Sequence, residues 1–118
     1  MVENLTGYYE WYIPSPQEKL VRTIVSNQAW FGGANLELRK YSTFGYNPSG
    51  YIKTGLWSTA KDSLKLAVDA KIERPDSAEK ATKVAIMQTI KFYIVGDKLI
   101  RNFVPVDKLW LEALRKEN

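Results

Sequence analysis

The chain has 118 residues, of which 45% are hydrophobic and 25% charged, and it contains neither cysteine nor histidine. This length predicts a single domain over residues 1–118. Without Cys or His, a disulfide scaffold, a Cys/His zinc site, a cysteine nucleophile and a Ser-His-Asp triad are excluded. We therefore expect no metal, no cofactor and no catalytic residue of these kinds.

The net charge is +4, and Lys and Arg are scattered from Lys19 to Lys116 without a long basic run. Nucleic acid is therefore not the expected main partner. The apolar stretches are far shorter than the ~18–20 residues that cross a bilayer. The N-terminus has acidic residues where a signal peptide has basic ones. These features predict a cytoplasmic protein with no membrane span.

The first predicted elements are a short strand and a helix. The segment GYYEWYI, before Pro14, predicts a leading strand. Ser15 suits a helix cap, Pro16 the first helical position, and Glu18 completes a capping box. An amphipathic helix over 16–30, ended by Gly32-Gly33, is predicted. Its apolar face would hold Leu20, Val21, Ile24, Val25 and Ala29.

Antiparallel strands are predicted next. The run from Asn47 to Gly50 favours a turn between LELRKYSTFGY and YIKTGLW. Residues 64–73 alternate between an apolar face (Leu64, Leu66, Val68, Ala70, Ile72) and a wet face (Lys65, Ala67, Asp69, Lys71, Glu73). The alternation returns from Val84, after a turn at 74–77. Gly96-Asp97 then predicts a hairpin that pairs Ile94 with Leu99, Phe92 with Arg101 and Ile90 with Phe103.

The C-terminal segment predicts a short helix capped by Asp107, with Leu109, Trp110, Ala113 and Leu114 on its apolar side. A sheet with one apolar face needs a cover, and the helix at 16–30 is the longest element available. The predicted fold class is therefore α+β. An N-terminal amphipathic helix packs on a curved antiparallel sheet, a roll or cone, and a short C-terminal helix follows.

The last third, IKFYIVGDKLIRNFVPVDKLWLEAL, resembles the final hairpin of the NTF2-like (SnoaL-like, ketosteroid-isomerase-like) cone fold. The resemblance rests on the strand to Val95, the Gly96-Asp97 turn, Lys98-Leu99 and Asp107. It implies a pocket between a concave sheet and helices, but no particular reaction. Members that abstract protons use an interior Asp, and no such Asp falls on the apolar face here. Cystatin-like and hot-dog rolls also pack a helix on a sheet, so these two folds remain as alternatives.

A ligand-binding site is predicted on the apolar face, formed by Gln88, Phe92, Arg101 and Trp57. Gln88 and Arg101 are polar residues at apolar-face positions, and a buried polar group without a partner costs ~1–3 kcal/mol. They could hydrogen-bond a ligand or bind its anionic group. The alternative is structural: Gln88 at a bulge, and Arg101 extending past Phe92 to the rim.

The wet face carries Lys65, Lys71, Lys83, Lys91, Tyr93 and Lys98, a mixture that some modules use to bind single-stranded nucleic acid. Asp69 and Glu73 interrupt that positive field. Four residues apart on one strand, they would stand about 13 Å apart, too far to share a proton. We interpret them as a solvated face.

The aromatic cluster Tyr8, Tyr9, Trp11 and Tyr12 is predicted to bind a partner chain, because Tyr and Trp are favoured at interfaces. Three functions follow. The first is a non-catalytic binding or assembly domain acting through protein–protein contacts, either with a partner protein or by self-association. The alternative is a small-ligand binder or cone-type enzyme, with a hydrophobic or anionic ligand in an interior pocket. The second alternative is single-stranded nucleic-acid binding on the outer sheet face.

Overall fold

The computed structural model describes residues 4–15, 29–73, 79, 81–103 and 110–117. These residues form nine β-strands and one turn of 3-10 helix, Lys40–Ser42. The strands are β1 (Gly7–Trp11), β2 (Ala29–Phe31), β3 (Asn35–Leu38), β4 (Thr43–Asn47), β5 (Tyr51–Ala60), β6 (Ser63–Glu73), β7 (Thr82–Val95), β8 (Lys98–Phe103) and β9 (Trp110–Lys116).

The strands form one sheet that closes on itself as an eight-strand barrel. From β3 to β9, each strand pairs antiparallel with the next along the chain. The strand β1 pairs with β3 on one side and with β9 on the other, which completes the ring. The short strand β2 pairs parallel with the first half of β9, from Ala29 beside Trp110 to Phe31 beside Glu112.

The core is the barrel interior, filled by alternate residues of the strands. The largest side chains that are fully buried there include Tyr9, Phe44, Tyr46, Phe92 and Leu114. Burial of this apolar face drives closure, since ~25 cal/mol is gained for each Å² removed from water.

The fold class predicted from the sequence is wrong. The described residues contain no α-helix, and the resemblance to the ketosteroid-isomerase-like cone is wrong for the same reason. A sheet that closes into a barrel covers its own apolar face, so it needs no helix as a cover.

Both predicted helices require comment. Residues 16–28 of the first lie outside the described residues, and its last two, residues 29–30, belong to strand β2. In the C-terminal helix, Asp107 and Leu109 lie outside the described residues, and the rest of the prediction is wrong: residues Trp110–Lys116 are strand β9, which hydrogen-bonds to β8 and β1. In β9, residues on both faces are buried from Leu111 to Leu114, so the segment lacks the alternation of apolar and polar residues that marks a half-exposed strand.

The predicted strands and turns fare better. The leading strand is β1, the turn from Asn47 to Gly50 joins β4 to β5, and Gly96-Asp97 joins β7 to β8. Ile94 faces Leu99 as predicted. The pairing of β7 with β8 stops at Tyr93 within the described residues, so the predicted cross-strand partners further from the turn are not hydrogen-bonded neighbours. The predicted turn at 74–77 lies outside the described residues.

A β-bulge at Asp69 corrects the predicted faces of β6. On β5, Gly55 pairs with Val68 but Thr54 pairs with Ala70, so Asp69 has no partner there. The extra residue shifts the register beyond it, although Ala70, predicted on the apolar face, is buried. Lys71, predicted to face water, therefore shares a face with Lys53, its cross-strand partner.

Strand β5 passes very close to β6 at Gly55. A Cβ atom at this position would lie 2.0 Å from the main-chain oxygen of Ala67 and 3.1 Å from the Phe44 ring. The absence of a side chain therefore permits both the approach of the strands and the burial of Phe44.

None of the helical segments among the described residues has the length and apolar character that crossing a bilayer requires.

Candidate functional site

A cavity of about 500 Å³ lies inside one end of the barrel. Its lining divides into an aromatic wall and a polar floor. The aromatic wall comprises Phe31, Tyr51, Phe103 and Trp110, together with Pro48. The polar floor comprises Tyr46, Lys53, Gln88 and Arg101.

Three of the four rings of the aromatic wall come from β2, β8 and β9, and Tyr51 comes from β5. Phe103 of β8 pairs directly with Trp110 of β9, and Phe31 of β2 lies against both. The Phe31 ring is 5.5 Å from that of Phe103 and 6.3 Å from that of Trp110, both in edge-to-face arrangements. Such packing holds aromatic surfaces in fixed orientations.

A buried ion pair lies beneath the cavity. Arg101 and Glu112 are cross-strand partners, and Arg101 Nε donates to Glu112 Oε1 at 2.7 Å. The Tyr46 hydroxyl donates to the other carboxylate oxygen at 2.5 Å and accepts from Arg101 Nη2 at 3.3 Å. Glu112 is fully buried, so both oxygens take their hydrogen bonds from protein. Burial, and then the Glu112 carboxylate, raise the pKa of Tyr46, which therefore stays a neutral donor.

Two aromatic rings flank the Arg101 guanidinium. Its Cζ lies 4.1 Å from the centroid of Phe103 and 5.3 Å from that of Phe92. With its ion pair, these contacts fix Arg101 in one position.

Lys53 is the second cation of the polar floor. It lies on β5 opposite Tyr46, and its Nζ donates to Gln88 Oε1 of β7 at 2.7 Å. No carboxylate oxygen of the described residues lies within 4.0 Å of this ammonium group. Burial, and then the positive charges of Arg101 and Lys71, lower the pKa of Lys53, while Glu112 opposes that shift.

The bulge at Asp69 brings Lys71 to the rim of this cavity. Its Nζ lies 4.4 Å from the centroid of the Tyr51 ring and 3.6 Å from Glu73 Oε1. Lys71 is thus a third cation on this side of the barrel, with a carboxylate of its own.

Strand pairing among the described residues is incomplete beside the cavity. Within the described chain, β7 is hydrogen-bonded to β8 only over Tyr93–Val95, although β7 extends back to Thr82. Gln88 of β7 and Phe103 of β8 both line the cavity beyond the paired part. The seam between these strands therefore adjoins the cavity.

The four predicted ligand-binding residues separate in the structure. Gln88 and Arg101 both line the cavity, but Gln88, predicted on the buried apolar face, is exposed. Phe92 is fully buried beneath it, edge-to-face with Tyr46 at 6.2 Å, and supports Arg101. Trp57 packs on the core elsewhere, and its Nε1 donates to the Arg39 carbonyl oxygen at 3.0 Å, so it does not line this cavity.

The sequence reasoning missed Glu112 and Lys53. Glu112 lies in the segment predicted to be a helix, where it drew no attention, yet Leu111, Ala113 and Leu114 around it are typical of a buried strand. Arg101 on the preceding strand was the signal for an acidic partner. Lys53 gave no signal, because the residues around it on β5 do not alternate regularly between apolar and polar side chains.

The predicted partner-binding residues also separate. Tyr9 is a core residue whose hydroxyl donates to the Leu5 carbonyl oxygen at 2.8 Å, so it is not available to a partner. Tyr8 and Trp11 are exposed at 59% and 45%. Tyr12 packs against a small cluster that contains Ile100 and Leu111.

The predicted basic face is smaller than expected. Lys65 and Lys91 are cross-strand neighbours, and Lys91 lies 5.5 Å from the Tyr93 ring centroid. These residues line an outer groove. Lys71 is not among them, since its ammonium group lies near the Tyr51 ring and Glu73. No group of three or more Asp and Glu side chains in the described part of the chain is placed to hold a metal ion.

Comparison with known proteins gives no relative from which a role could be transferred: no family model, curated protein or solved structure matches this chain significantly.

Proposed function

We propose that this barrel binds a small, largely apolar organic molecule in its interior cavity. One observation carries the proposal: about 500 Å³ of space lies between an aromatic wall and a polar floor. That volume is typical of small-molecule sites, which combine apolar walls with a few fixed polar groups. An eight-strand barrel has an interior of the size that admits one such ligand.

The barrel also supplies a rigid frame and a path of access. The Arg101–Glu112 pair and Tyr46 hold the floor in place through three short-range contacts. A site fixed in advance loses less conformational entropy when a ligand binds. The seam between β7 and β8 gives a route to the cavity that breaks no described strand pairing.

Fluorescence titration with the neutral probe N-phenyl-1-naphthylamine tests this function. We expect saturable binding at one site per chain with a blue shift. Phe31→Ala should weaken it about fivefold, because one ring contact contributes ~1 kcal/mol. Tyr93→Ala is the matched control, since it removes an exposed ring from the outer groove. The absence of binding, or a loss with Tyr93→Ala but not with Phe31→Ala, would refute the proposal.

Protein–protein contact is the second candidate, and the exposure of the N-terminal segment favours it. Tyr8, Trp11 and Ile13 are exposed at 59%, 45% and 65%. The adjoining cleft combines acidic and basic groups, Glu10 and Asp97 with Arg115 and Lys116. Charges of both signs suit contact with a second copy of the chain.

Light scattering tests self-association at high concentration. We expect a mass above that of the monomer, which Trp11→Ala lowers while Met87→Ala, an exposed apolar control, does not. A monomer at every concentration contradicts this candidate.

A further inference from the structure

We propose that the ligand of the cavity is an organic anion, an apolar body carrying one carboxylate, sulfonate or phosphate group, and that Lys53 is its counter-ion. This inference rests on the proposed function and specifies the ligand class. It derives from the charges that face the cavity and from the hydrogen bonds that they already make.

Two of the three cations on this side of the barrel have their own carboxylates. Arg101 Nε lies 2.7 Å from Glu112 Oε1, and Lys71 Nζ lies 3.6 Å from Glu73 Oε1. Lys53 has no carboxylate within 4.0 Å among the described residues, and its hydrogen-bond acceptor is the neutral amide oxygen of Gln88. The cavity therefore holds one positive charge without a matching negative one.

This charge is unfavourable in the unliganded protein. Lys53 is partly withdrawn from water, and Arg101 and Lys71 both repel its ammonium group; its pKa is lowered accordingly. An apolar side chain would fill the same position without that cost. An incoming anion would remove the penalty, because a charge-assisted hydrogen bond replaces the repulsion.

Gln88 supplies a second donor beside Lys53. Its amide oxygen accepts from Lys53 Nζ, which leaves its amide NH2 without a partner among the described residues. An ammonium group and an amide NH2 held side by side can donate to two oxygens of one anionic group. Arg101 is less suited to this role, since Glu112 and Tyr46 already occupy its Nε and Nη2.

The same geometry places the apolar body. Lys53 lies on β5, and Trp110 lies on β9, four strands further around the eight-strand ring. Tyr51 of the aromatic wall lies beside Lys53, with its ring centroid 5.6 Å from Lys53 Nζ, whereas the rest of the wall, on β2, β8 and β9, is on the opposite side of the cavity. A ligand bound at Lys53 would extend its body across to Phe31, Phe103 and Trp110.

Two probes that share one ring system separate charge from apolar contact. N-phenyl-1-naphthylamine is neutral, and 1-anilinonaphthalene-8-sulfonate adds a sulfonate. We expect the sulfonate to bind at least tenfold more tightly to the unmodified protein. Lys53→Met should reduce sulfonate affinity at least tenfold and change affinity for the neutral probe less than twofold. Lys53→Arg should keep the preference, and Gln88→Met should lower it about threefold.

Lys65→Met is the matched control, since it removes the same charge from an exposed outer position. It should leave both affinities unchanged. Binding of the neutral probe to Lys53→Met also shows that this variant is folded. If that variant does not fold, Gln88→Met and Lys53→Arg carry the test.

The outcomes distinguish the two proposals. If neither probe binds, or if Phe31→Ala weakens the binding of neither, the proposed function is wrong. If both probes bind there but Lys53→Met leaves their affinity ratio unchanged, the cavity binds neutral ligands and the anion inference is wrong. An equal loss of sulfonate affinity with Lys65→Met and Lys53→Met would also overturn the anion inference. The net positive charge of the protein would then be enough to explain the preference for the sulfonate.

Discussion

The buried carboxylate of Glu112 allows a quantitative prediction. Glu112→Leu removes the acceptor for Arg101 Nε and for the Tyr46 hydroxyl in one step. Leucine fills a similar volume, so the change tests charge and hydrogen bonding rather than packing. The Arg101 side chain, 16% exposed, is left without its counter-ion.

The expected cost follows from that environment. Breaking a buried ion pair from one side costs ~3–5 kcal/mol, because the remaining charge is uncompensated. Arg101 borders a cavity that water can enter, which favours the lower end, about 3 kcal/mol. Of a total stability of ~5–15 kcal/mol, this is a large part.

Urea denaturation measures this loss. With a slope of ~1–2 kcal/mol per molar, the midpoint should fall by roughly 2 M while the slope stays constant. Arg101→Met should cost as much or more, since it leaves the fully buried Glu112 with a single donor. The double variant, Arg101→Met with Glu112→Leu, should be at least ~2 kcal/mol more stable than the sum of the single losses predicts.

Additive losses in this cycle would refute the reasoning. They would mean that the two side chains do not depend on each other for their solvation. A Glu112→Leu variant as stable as the unmodified chain would equally contradict the burial of the carboxylate.

Two further predictions concern other parts of the barrel. Gly55→Ala should destabilise the protein by ~2 kcal/mol or more, because the added Cβ meets the Ala67 oxygen. Thermal unfolding measures this loss, with Ala60→Gly at the exposed end of the same strand as the control. An unchanged melting temperature of Gly55→Ala would count against the close approach of the two strands. Tyr9→Phe should reduce the loss of stability at alkaline pH. Burial, and then Asp97, raise the pKa of Tyr9 to about 12, so the folded state keeps a proton that the tyrosine of the unfolded chain releases at pH ~10. Stability due to this group is thus complete below pH ~10 and is lost as the pH rises towards the folded pKa. Urea midpoints from pH 8 to 11 test this, and parallel curves for the two proteins would contradict it.

The sequence predicted the individual antiparallel strands better than it predicted the overall architecture. Alternation with period two is a local signal, and it correctly assigned β6 as far as Val68 and the turn at Gly96-Asp97. Closure depends on β1 meeting β9, a contact that local patterns do not encode. The segment around Trp110 has spacings that fit a helix and a doubly buried strand equally well, and tertiary pairing decided for the strand.

The candidate site was partly predictable for the same reason. Gln88 and Arg101 were identified because a polar residue at an apolar-face position stands out in a regular strand. Lys53 and Lys71 were not, because the residues around Lys53 on β5 show no regular alternation, and Lys71 lies beyond the bulge at Asp69, where the register of β6 shifts.

The closing pair of strands also has a consequence for how fast the protein can fold. From β3 to β8, every pairing joins strands that are adjacent in the chain, so these hairpins can form early from local contacts. Strand β9 must instead contact β8, β1 and β2, which brings together residues as far apart as Tyr9 and Lys116. The entropy of closing that loop is lost before the contacts form. We therefore expect docking of β9 to be the late, rate-limiting step. Until it occurs, the growing chain on the ribosome would expose the edges of β1 and β8.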